Sequence, residues 1–205
     1  MRSKSLEGKT IAIFVDHKFE DMEVMYPKIR LEEEGATVVV VGVHPAGTTY
    51  SGKFGYPIKS DVCVDACDNA ELLWAALVLP GGFAPDYMRR SQKMLTLTTA
   101  MVSAGKPVAA ICHGPWMLCS ARRADGTPLC KGHKCTAFVA VKDDVINAGA
   151  EWADEPVVVS AATIGGKKEL VITSRTPNDL TPWIHAIIDA VSPPAVQKIG
   201  DFEEW

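Results

Sequence analysis

The stretch Lys106–Leu118, KPVAAICHGPWML, decides the fold of this chain and carries its most reactive side chain. An apolar run rich in strand-forming residues stops at Cys112 and gives way to a short amphipathic segment, which predicts a strand, a tight turn and a helix. Pro115 suits the first turn of a helix, because its missing N–H would have no partner there. The positive end of that helix lies beside the sulfur, so we expect the thiol to ionise easily and act as a nucleophile. The alternative is a buried cysteine that ends a core strand.

Length and composition favour a single globular domain. The 205 residues are enough for one sizeable core and too few to favour two. We expect a single domain at residues 10–191 between tails at 1–9 and 192–205. A net charge of -4 argues against nucleic acid or an anionic membrane as partner. No apolar stretch precedes the first strand, which predicts a cytoplasmic protein whose six cysteines are thiols.

Strand-like runs alternate with helical patterns along the chain. Buried strands are predicted at 10–15, 36–43, 75–80 and before residue 112, and shorter ones at 136–139, 157–160, 162–164 and 170–173. Helices are predicted up to residue 34 and at 92–104, 142–148 and 180–191, with Pro27 marking a kink or a start in the first. Residues 44–60 predict turns with a small hairpin, and residues 121–134 a loop. This alternation predicts a mostly parallel sheet with helices on both faces.

Ligands of such sheets collect at the carboxyl ends of the strands, near the point where the strand order reverses. Three predicted loops lie there and carry chemically useful groups: Glu20 after the first strand, Gly81, Gly82 and Asp86 after the third, and Cys112 with His113 at the turn described above.

Five motifs resemble the PfpI-like branch of the superfamily that contains PfpI intracellular proteases, glyoxalase III and the parkinsonism-associated deglycase. They are FEDMEVMYP at 19–27, LPGGFAPD at 79–86, AICHGP at 110–115, KDDVINAGA at 142–150 and SRTPNDL at 174–180. The resemblance runs in order from about residue 10 to 191. It implies a flavodoxin-like three-layer sandwich, of the class I glutamine amidotransferase-like type, with a nucleophile elbow after a central strand. It also implies a cofactor-independent cysteine enzyme that forms a dimer or a trimer of dimers.

The resemblance assigns roles to the residues around the thiol. Cys112 would be the nucleophile, and His113 the acid/base and substrate-binding partner. Glu20 would hydrogen-bond the sulfur, and a carboxyl held there away from water should stay protonated and donate. Asp21 and Glu23 offer the same chemistry nearby, but Glu20 is favoured because it follows the phenylalanine of the family motif.

Two further roles depend on the loop after the third strand. Asp86 stands where the family carries a glutamate that reaches across a subunit interface to orient the histidine; a helix N-cap is the alternative. Gly81 and Gly82 would present N–H groups to an oxyanion, since a Cβ would block close approach. Simple turn glycines are the alternative reading of that pair.

Other polar residues predict no cofactor and no metal. Cys130, His133 and Cys135 lack a fourth ligand at a recognisable spacing. Cys119 follows Cys112 by two helical turns, roughly 10 Å, which is too far for a resolving thiol.

The sequence therefore predicts a cysteine enzyme that acts on small reactive carbonyls and converts methylglyoxal to lactate through a Cys112 adduct, of glyoxalase III or deglycase type. An intracellular peptidase or other hydrolase, acting on peptides with the same nucleophile, is the nearest alternative. A stress-response redox sensor or chaperone, in which Cys112 is oxidised to a sulfinate, is an alternative of another class.

Overall fold

The strands of the protein follow from its short apolar runs. The computed structural model describes residues 5–192, and the outer parts of the two predicted tails, 1–4 and 193–205, lie outside the described residues. Within that range the strands are β1 (Thr10–Phe14), β2 (Thr37–Gly42), β3 (Thr49–Ser51), β4 (Pro57–Lys59), β5 (Val62–Cys63), β6 (Ala76–Leu79), β7 (Val108–Ile111), β8 (Lys134–Cys135), β9 (Glu151–Trp152), β10 (Val157–Ile164) and β11 (Lys167–Ser174).

Helices fill most of the connections between these strands. Those in the described residues are α1 (Asp21–Glu33), α2 (Ala70–Leu73), α3 (Ala84–Met88), α4 (Gln92–Ser103), α5 (Pro115–Ser120), α6 (Lys142–Asn147) and α7 (Leu180–Val191). None of the helices in the described range is long and apolar enough to span a bilayer.

The central sheet has seven strands in the order β10-β11-β7-β6-β1-β2-β5, and only the β10–β11 pair is antiparallel. The path from β1 through α1 to β2 runs towards one edge, whereas the path from β6 through α4 to β7 runs towards the other. Because such crossovers are right-handed, α1 and α4 lie on opposite faces of the sheet. The flavodoxin-like three-layer arrangement expected from the sequence is confirmed.

The strand order reverses between β1 and β6, so a crevice opens at their carboxyl ends. Strand β7, which ends at the Cys112 turn, is the next neighbour of β6. The loops after β1, β6 and β7 therefore converge, as the sequence predicts. All four residues of β6 and of β7 are buried, as expected for strands covered on both faces.

Several element boundaries differ from the sequence prediction. The strands predicted at 157–160 and 162–164 form one strand, β10, and the strand predicted at 136–139 is wrong. The Thr136 N–H donates to the Thr173 hydroxyl at 2.9 Å instead of joining a ladder. Helix α1 begins at Asp21 and contains Pro27, so this proline does not mark the start of the helix. The short helix α3 was not predicted.

A buried ion network fixes the loop between α5 and β8. The Glu169 carboxylate accepts from Arg123 at 2.9 and 2.6 Å and bonds His133 Nε2 at 3.0 Å. Arg123 also donates to the Leu129 carbonyl at 2.7 Å, which folds the loop back on itself. Burial alone would raise the pKa of Glu169, but the bonds with Arg123 and His133 outweigh burial and hold that pKa below its ordinary value.

The same network accounts for His133, which the sequence places near two cysteines. The other ring nitrogen, Nδ1, bonds the Ser160 hydroxyl at 3.0 Å, so both nitrogens are engaged within the protein. No group of three potential ligands suited to a metal occurs in the described part of the chain. The six cysteines, all within the described range, are free thiols, and Cys119 lies against Cys130, with the sulfurs 3.9 Å apart.

Replacement of Glu169 by glutamine should strongly destabilise the protein, because it leaves the Arg123 charge buried without a counter-ion. We expect a loss of about 3–5 kcal/mol in the free energy of unfolding, measured by urea denaturation at pH 7. The wild-type advantage should shrink as the pH falls through the folded-state pKa of Glu169, since the lowered pKa stabilises the fold only above that range. The matched control is Glu155→Gln in the exposed pair with Lys134, where about 0–1 kcal/mol is expected. Equal effects of the two substitutions would contradict the structural role of the network.

Candidate active site

Cys112 lies in a strained turn between β7 and α5. Its φ is +60°, a left-handed conformation that non-glycine residues rarely adopt. Two backbone hydrogen bonds hold it: the Cys112 N–H donates to the Ser174 carbonyl at 3.0 Å, and the Cys112 carbonyl accepts from the Phe138 N–H at 2.9 Å. A Cβ at Gly114 would press into the carbonyls of Leu79 and Ile111, so the sharp turn requires a glycine there. The surrounding backbone thus fixes the position of the thiol.

The turn also places His113 beside the sulfur. On a regular helix two consecutive side chains diverge, but here Cys112 Sγ and His113 Nδ1 are 3.2 Å apart. The imidazole stacks on Phe138 with ring centroids 5.1 Å apart and meets the edge of Trp116 at 5.1 Å. Burial, followed by the charge of Lys53, lowers the pKa of His113. The ring is therefore neutral at pH 7 and can accept a proton.

Glu23, and not Glu20, holds its carboxyl against the thiol. Glu23 is fully buried, and its Oε2 accepts from the Gly81 N–H at 2.7 Å, while the carboxyl also interacts with Cys112. Glu20 is the N-cap of α1, and its Oε2 accepts from the Glu23 N–H at 3.0 Å. The role assigned to Glu20 from the sequence is thus corrected: a capping side chain turns back onto its own helix, whereas the residue three positions later points into the site.

Burial favours the protonated forms of both Glu23 and Cys112. Burial raises the pKa of Glu23 to about 8, so this carboxyl keeps its proton at neutral pH. Burial, and then the facing Glu23 charge, raise the pKa of Cys112 to about 12, although the N–H groups of Gly82 and His113 oppose this. This raised pKa runs against the easy ionisation of the thiol that the sequence predicts. Helix α5 has only six residues, and its dipole does not offset the withdrawal of the sulfur from water.

The second carboxyl oxygen of Glu23, Oε1, can carry the proton that is donated to the sulfur. Among the residues that the structure describes, Oε1 finds no hydrogen-bond partner, whereas Oε2 accepts from the Gly81 N–H. A buried oxygen without a donor suits the protonated side of a carboxylic acid, which itself donates. Glu23 can therefore donate its proton towards a sulfur that becomes negative during attack.

The N–H groups of Gly81 and Gly82, which follow β6, have different partners. The sequence predicts that the Gly81 N–H binds an oxyanion, but this N–H donates to Glu23 and is not available for that role. The Gly82 N–H faces the Cys112 sulfur, as does the His113 N–H, and these two groups are the backbone donors of the site. Gly82 has a φ of +71°, and a Cβ there would collide with the backbone of Phe19 and Glu20. The close approach of the two loops therefore requires glycine at this position.

Asp86 lies on α3 away from these groups. Its side chain is 50% exposed and pairs with Arg90. It is the third residue of α3, whose N-cap is Phe83, so the N-cap alternative is wrong. A role towards the histidine of a neighbouring subunit stays a prediction.

A cavity of about 200 Å³ opens over the sulfur. Its lining residues come from six segments between strands and helices: Glu20, Lys53, Gly82, Phe83, Cys112, His113, Phe138, Thr176 and Pro177. Lys53, Phe138 and Thr176 are site residues that were not predicted from the sequence. Thr176 lies within the motif at 174–180 and Phe138 lies shortly before the motif at 142–150, but no sequence signal marks Lys53 within the irregular stretch 44–60.

Glu23→Gln should make the thiol ionise at lower pH. The amide keeps the hydrogen bond to Gly81 but cannot carry the negative charge that opposes thiolate formation above pH 8. We expect the midpoint of the pH dependence of Cys112 alkylation to fall by about one to three units, measured with iodoacetamide. Glu20→Gln is the matched control and should leave this midpoint in place while destabilising α1 by about 1 kcal/mol. An unchanged or higher midpoint in the Glu23 variant would show that its charge does not act on the thiol.

Comparison with known proteins identifies the family to which the sequence is similar. The DJ-1/PfpI family matches residues 9–190. The chain is similar to the deglycase PH1704 of Pyrococcus horikoshii, with 40% identity over 172 residues that cover 84% of this chain and 93% of the relative. It is also similar to protein/nucleic acid deglycase 2 of Escherichia coli, with 40% identity over 174 residues that cover 84% and 92% of the two chains.

A solved structure shares the fold. It is a two-domain protein from Anabaena variabilis with DJ-1/ThiJ/PfpI-like and ferritin-like domains, 34% identical, with a TM-score of 0.77 over 88% of this chain and 47% of that one. Together with an elbow cysteine between a histidine and a buried glutamate, these matches show that the chain belongs to the DJ-1/PfpI family.

Proposed function

We propose that the protein is a cofactor-independent deglycase that acts on methylglyoxal-type carbonyls, free or as adducts of amines, through a covalent Cys112 intermediate. The observation that carries this proposal is the contact of 3.2 Å between Cys112 Sγ and His113 Nδ1, at the floor of a small cavity. The names of the two deglycase relatives support the same chemistry.

The proposed reaction adds one water to the substrate and needs no external oxidant. The sulfur attacks the aldehyde carbon of methylglyoxal, a C–S bond forms, and the carbonyl oxygen takes a proton to give a hemithioacetal. A base removes the proton from that carbon and an acid returns one to the neighbouring carbon, while the hydroxyl proton passes to the neighbouring oxygen, which converts the adduct to a lactoyl thioester. Water then cleaves the C–S bond, releases lactate and restores the thiol. An aminocarbinol adduct follows the same path once its amine leaves.

The side chains of the site fit these steps. The neutral His113 accepts the thiol proton as attack begins and passes it to the carbonyl oxygen. In the next step it can take the C–H proton from the first carbon and return it to the second. The protonated Glu23 supports the sulfur from behind, and the Gly82 and His113 N–H groups stabilise negative charge that develops near it. Because the thiol is mostly protonated at rest, its deprotonation is coupled to attack on a bound electrophile.

The size of the cavity favours a small substrate over a peptide. At about 200 Å³ it is smaller than the range typical of drug-sized ligands, which begins at about 300 Å³. The aromatic rings of Phe138 and His113 close one wall, and Pro177 contributes to the rim. A three-carbon dicarbonyl fits such a site, whereas a peptide would have to lie across its mouth.

Cys112→Ala should abolish lactate formation from methylglyoxal. We expect kcat/KM to fall by about three orders of magnitude or more, because the covalent step is lost. The product is measured enzymatically as lactate, and free amine is measured with an aminocarbinol substrate. Cys63→Ala is the matched control, since Cys63 is a partly exposed thiol at the far edge of the sheet, on β5.

Lactate formation that survives in the Cys112 variant would refute the proposal. Cleavage of peptides by the wild type and not by the variant, without lactate, would instead favour the peptidase. Absence of both activities, with Cys112 readily oxidised by peroxide, would favour the redox sensor.

Asp86→Ala tests the proposed contact across a subunit interface. If the carboxylate orients the histidine of a neighbouring subunit, kcat for methylglyoxal should fall about tenfold or more, while alkylation of Cys112 by iodoacetamide is retained. Light scattering must show that the oligomeric state is unchanged. Arg90→Ala removes the partner of Asp86 within the chain and serves as control. Full turnover in the Asp86 variant would exclude the role.

A further inference from the structure

Lys53 brings a positive charge to the cavity over Cys112. Among the residues that line this cavity, all within the described range, Lys53 is the one whose side chain is charged positively at pH 7, since His113 is neutral. Its ammonium Nζ is 3.9 Å from Glu20 Oε1, which is an ion-pair separation but too long for a hydrogen bond. The side chain is 31% exposed, so the ammonium is partly withdrawn from water. The ammonium also lies 4.8 Å from the centroid of the Phe54 ring. Within the described residues its N–H groups have no hydrogen-bond acceptor, so a ligand in the cavity can accept from them.

Hydrogen bonds to Phe19 and Asp21 hold the backbone of the turn that carries Lys53. The Lys53 N–H donates to the Phe19 carbonyl at 2.8 Å. The buried Asp21 carboxylate accepts from the N–H groups of Phe54 at 3.0 Å and Tyr56 at 2.9 Å. These bonds tie the turn between β3 and β4 to the start of α1, which also carries Glu23. The position of Lys53 relative to the sulfur is thus set by the same helix that supports the thiol.

The charge of Lys53 reaches the reacting groups. It contributes to lowering the pKa of His113, after burial, and it is one of the groups that oppose the raised pKa of Glu23. Glu20 faces it with one carboxylate oxygen, Oε1, while Oε2 is held by the Glu23 N–H. Since Glu23 is protonated at pH 7, it adds no negative charge beside the sulfur, and the carboxylate of Glu20, which also lines the cavity, is paired with Lys53. A small anion can therefore approach between Lys53 and the sulfur.

We propose that Lys53 is an anion-binding residue of this cavity and directs towards Cys112 small electrophiles that carry a carboxylate beside the reactive carbon, such as 2-oxo acids. This rests on the proposed function only in that Cys112 is the nucleophile. The size of the cavity favours a carboxylate of two or three carbons over a phosphorylated sugar. The lactate that the proposed reaction releases is not an electrophile, but it carries a carboxylate on a chain of three carbons, so Lys53 would also bind the product.

The test compares two alkylating reagents that differ by one charge. Iodoacetate and iodoacetamide react alike: the Cys112 thiolate forms a C–S bond and iodide leaves. The ratio of their rates is independent of the fraction of thiolate and of any turnover, so the test remains valid if methylglyoxal is not a substrate. Modification is measured by mass spectrometry of the Cys112 peptide at low ionic strength.

Lys53→Met should lower the ratio of iodoacetate to iodoacetamide rates about tenfold, and added salt should weaken the effect. The concentration of glyoxylate that protects Cys112 from iodoacetamide should rise by a similar factor. Lys53→Arg keeps the charge and should preserve at least half of the wild-type ratio. Lys59→Met, from the exposed face of β4 in the same hairpin, removes an equal net charge and should leave the ratio within about twofold.

Three results would overturn the proposal. The ratio could be unchanged in Lys53→Met, or it could fall equally in Lys59→Met, which would indicate only a general effect of net charge. Protection by inorganic phosphate at lower concentration than by glyoxylate, lost in Lys53→Met, would assign the site to phosphate-bearing ligands instead.

Discussion

The left-handed backbone of Cys112 is the constraint on which the rest of the site depends. Its cost, about 1–3 kcal/mol, is offset by hydrogen bonds from two other parts of the chain, at Ser174 and Phe138. Ser174 is the last residue of β11 and Phe138 lies shortly after β8, so the turn forms only when the sheet and the segments beyond it are assembled. The reactive geometry is thus a product of the whole fold. A local peptide with the same sequence would relax to a regular turn and separate the thiol from the imidazole.

The second constraint is the burial of Glu23 directly behind the sulfur. An ionised carboxylate in this place would repel a thiolate, whereas a protonated one can donate to it, and burial selects the protonated form at neutral pH. The Gly81 N–H satisfies one oxygen and leaves the other for the sulfur. The site therefore stores a proton where negative charge will develop. This is an alternative to lowering the pKa of the thiol itself, and it couples ionisation to the arrival of an electrophile.

Much of this arrangement could be predicted from the sequence, because it depends on patterns that local physics fixes. Apolar runs of strand length, separated by helical patterns, specify a parallel sheet, and a Pro after a Cys-His-Gly turn specifies an elbow. The convergence of three loops then follows from topology alone. The strand predicted at 136–139 does not form, because the Thr136 N–H is satisfied by a side chain rather than by a ladder, and the apolar pattern of the sequence does not reveal this.

The prediction of Glu20, rather than Glu23, as the carboxyl beside the sulfur is wrong for a specific physical reason. The family motif favours Glu20 by its place after a phenylalanine, but a residue at the N-cap bends back to satisfy its own helix. The helical period gives the better signal: Glu23, Pro27 and Leu31 are spaced by four and are all buried, so they form one inward stripe of α1. A glutamate in such a stripe is an unusual burial of an ionisable group, and that alone marks it as a candidate for function.

Lys53 shows where sequence reasoning ends and tertiary structure begins. The turn that carries it lies in a stretch with no periodic pattern, and its placement depends on the Asp21 carboxylate, which accepts from two N–H groups of the turn. Asp21 and Glu23 are neighbours on α1, yet one fixes the turn above the cavity and the other supports the sulfur below it. A single helix N-terminus thus determines the distance between the cation and the nucleophile. Since Glu20 caps that same helix and faces Lys53, the acidic cluster at residues 20–23 acts as the frame of the cavity, with one carboxyl for each of three separate contacts.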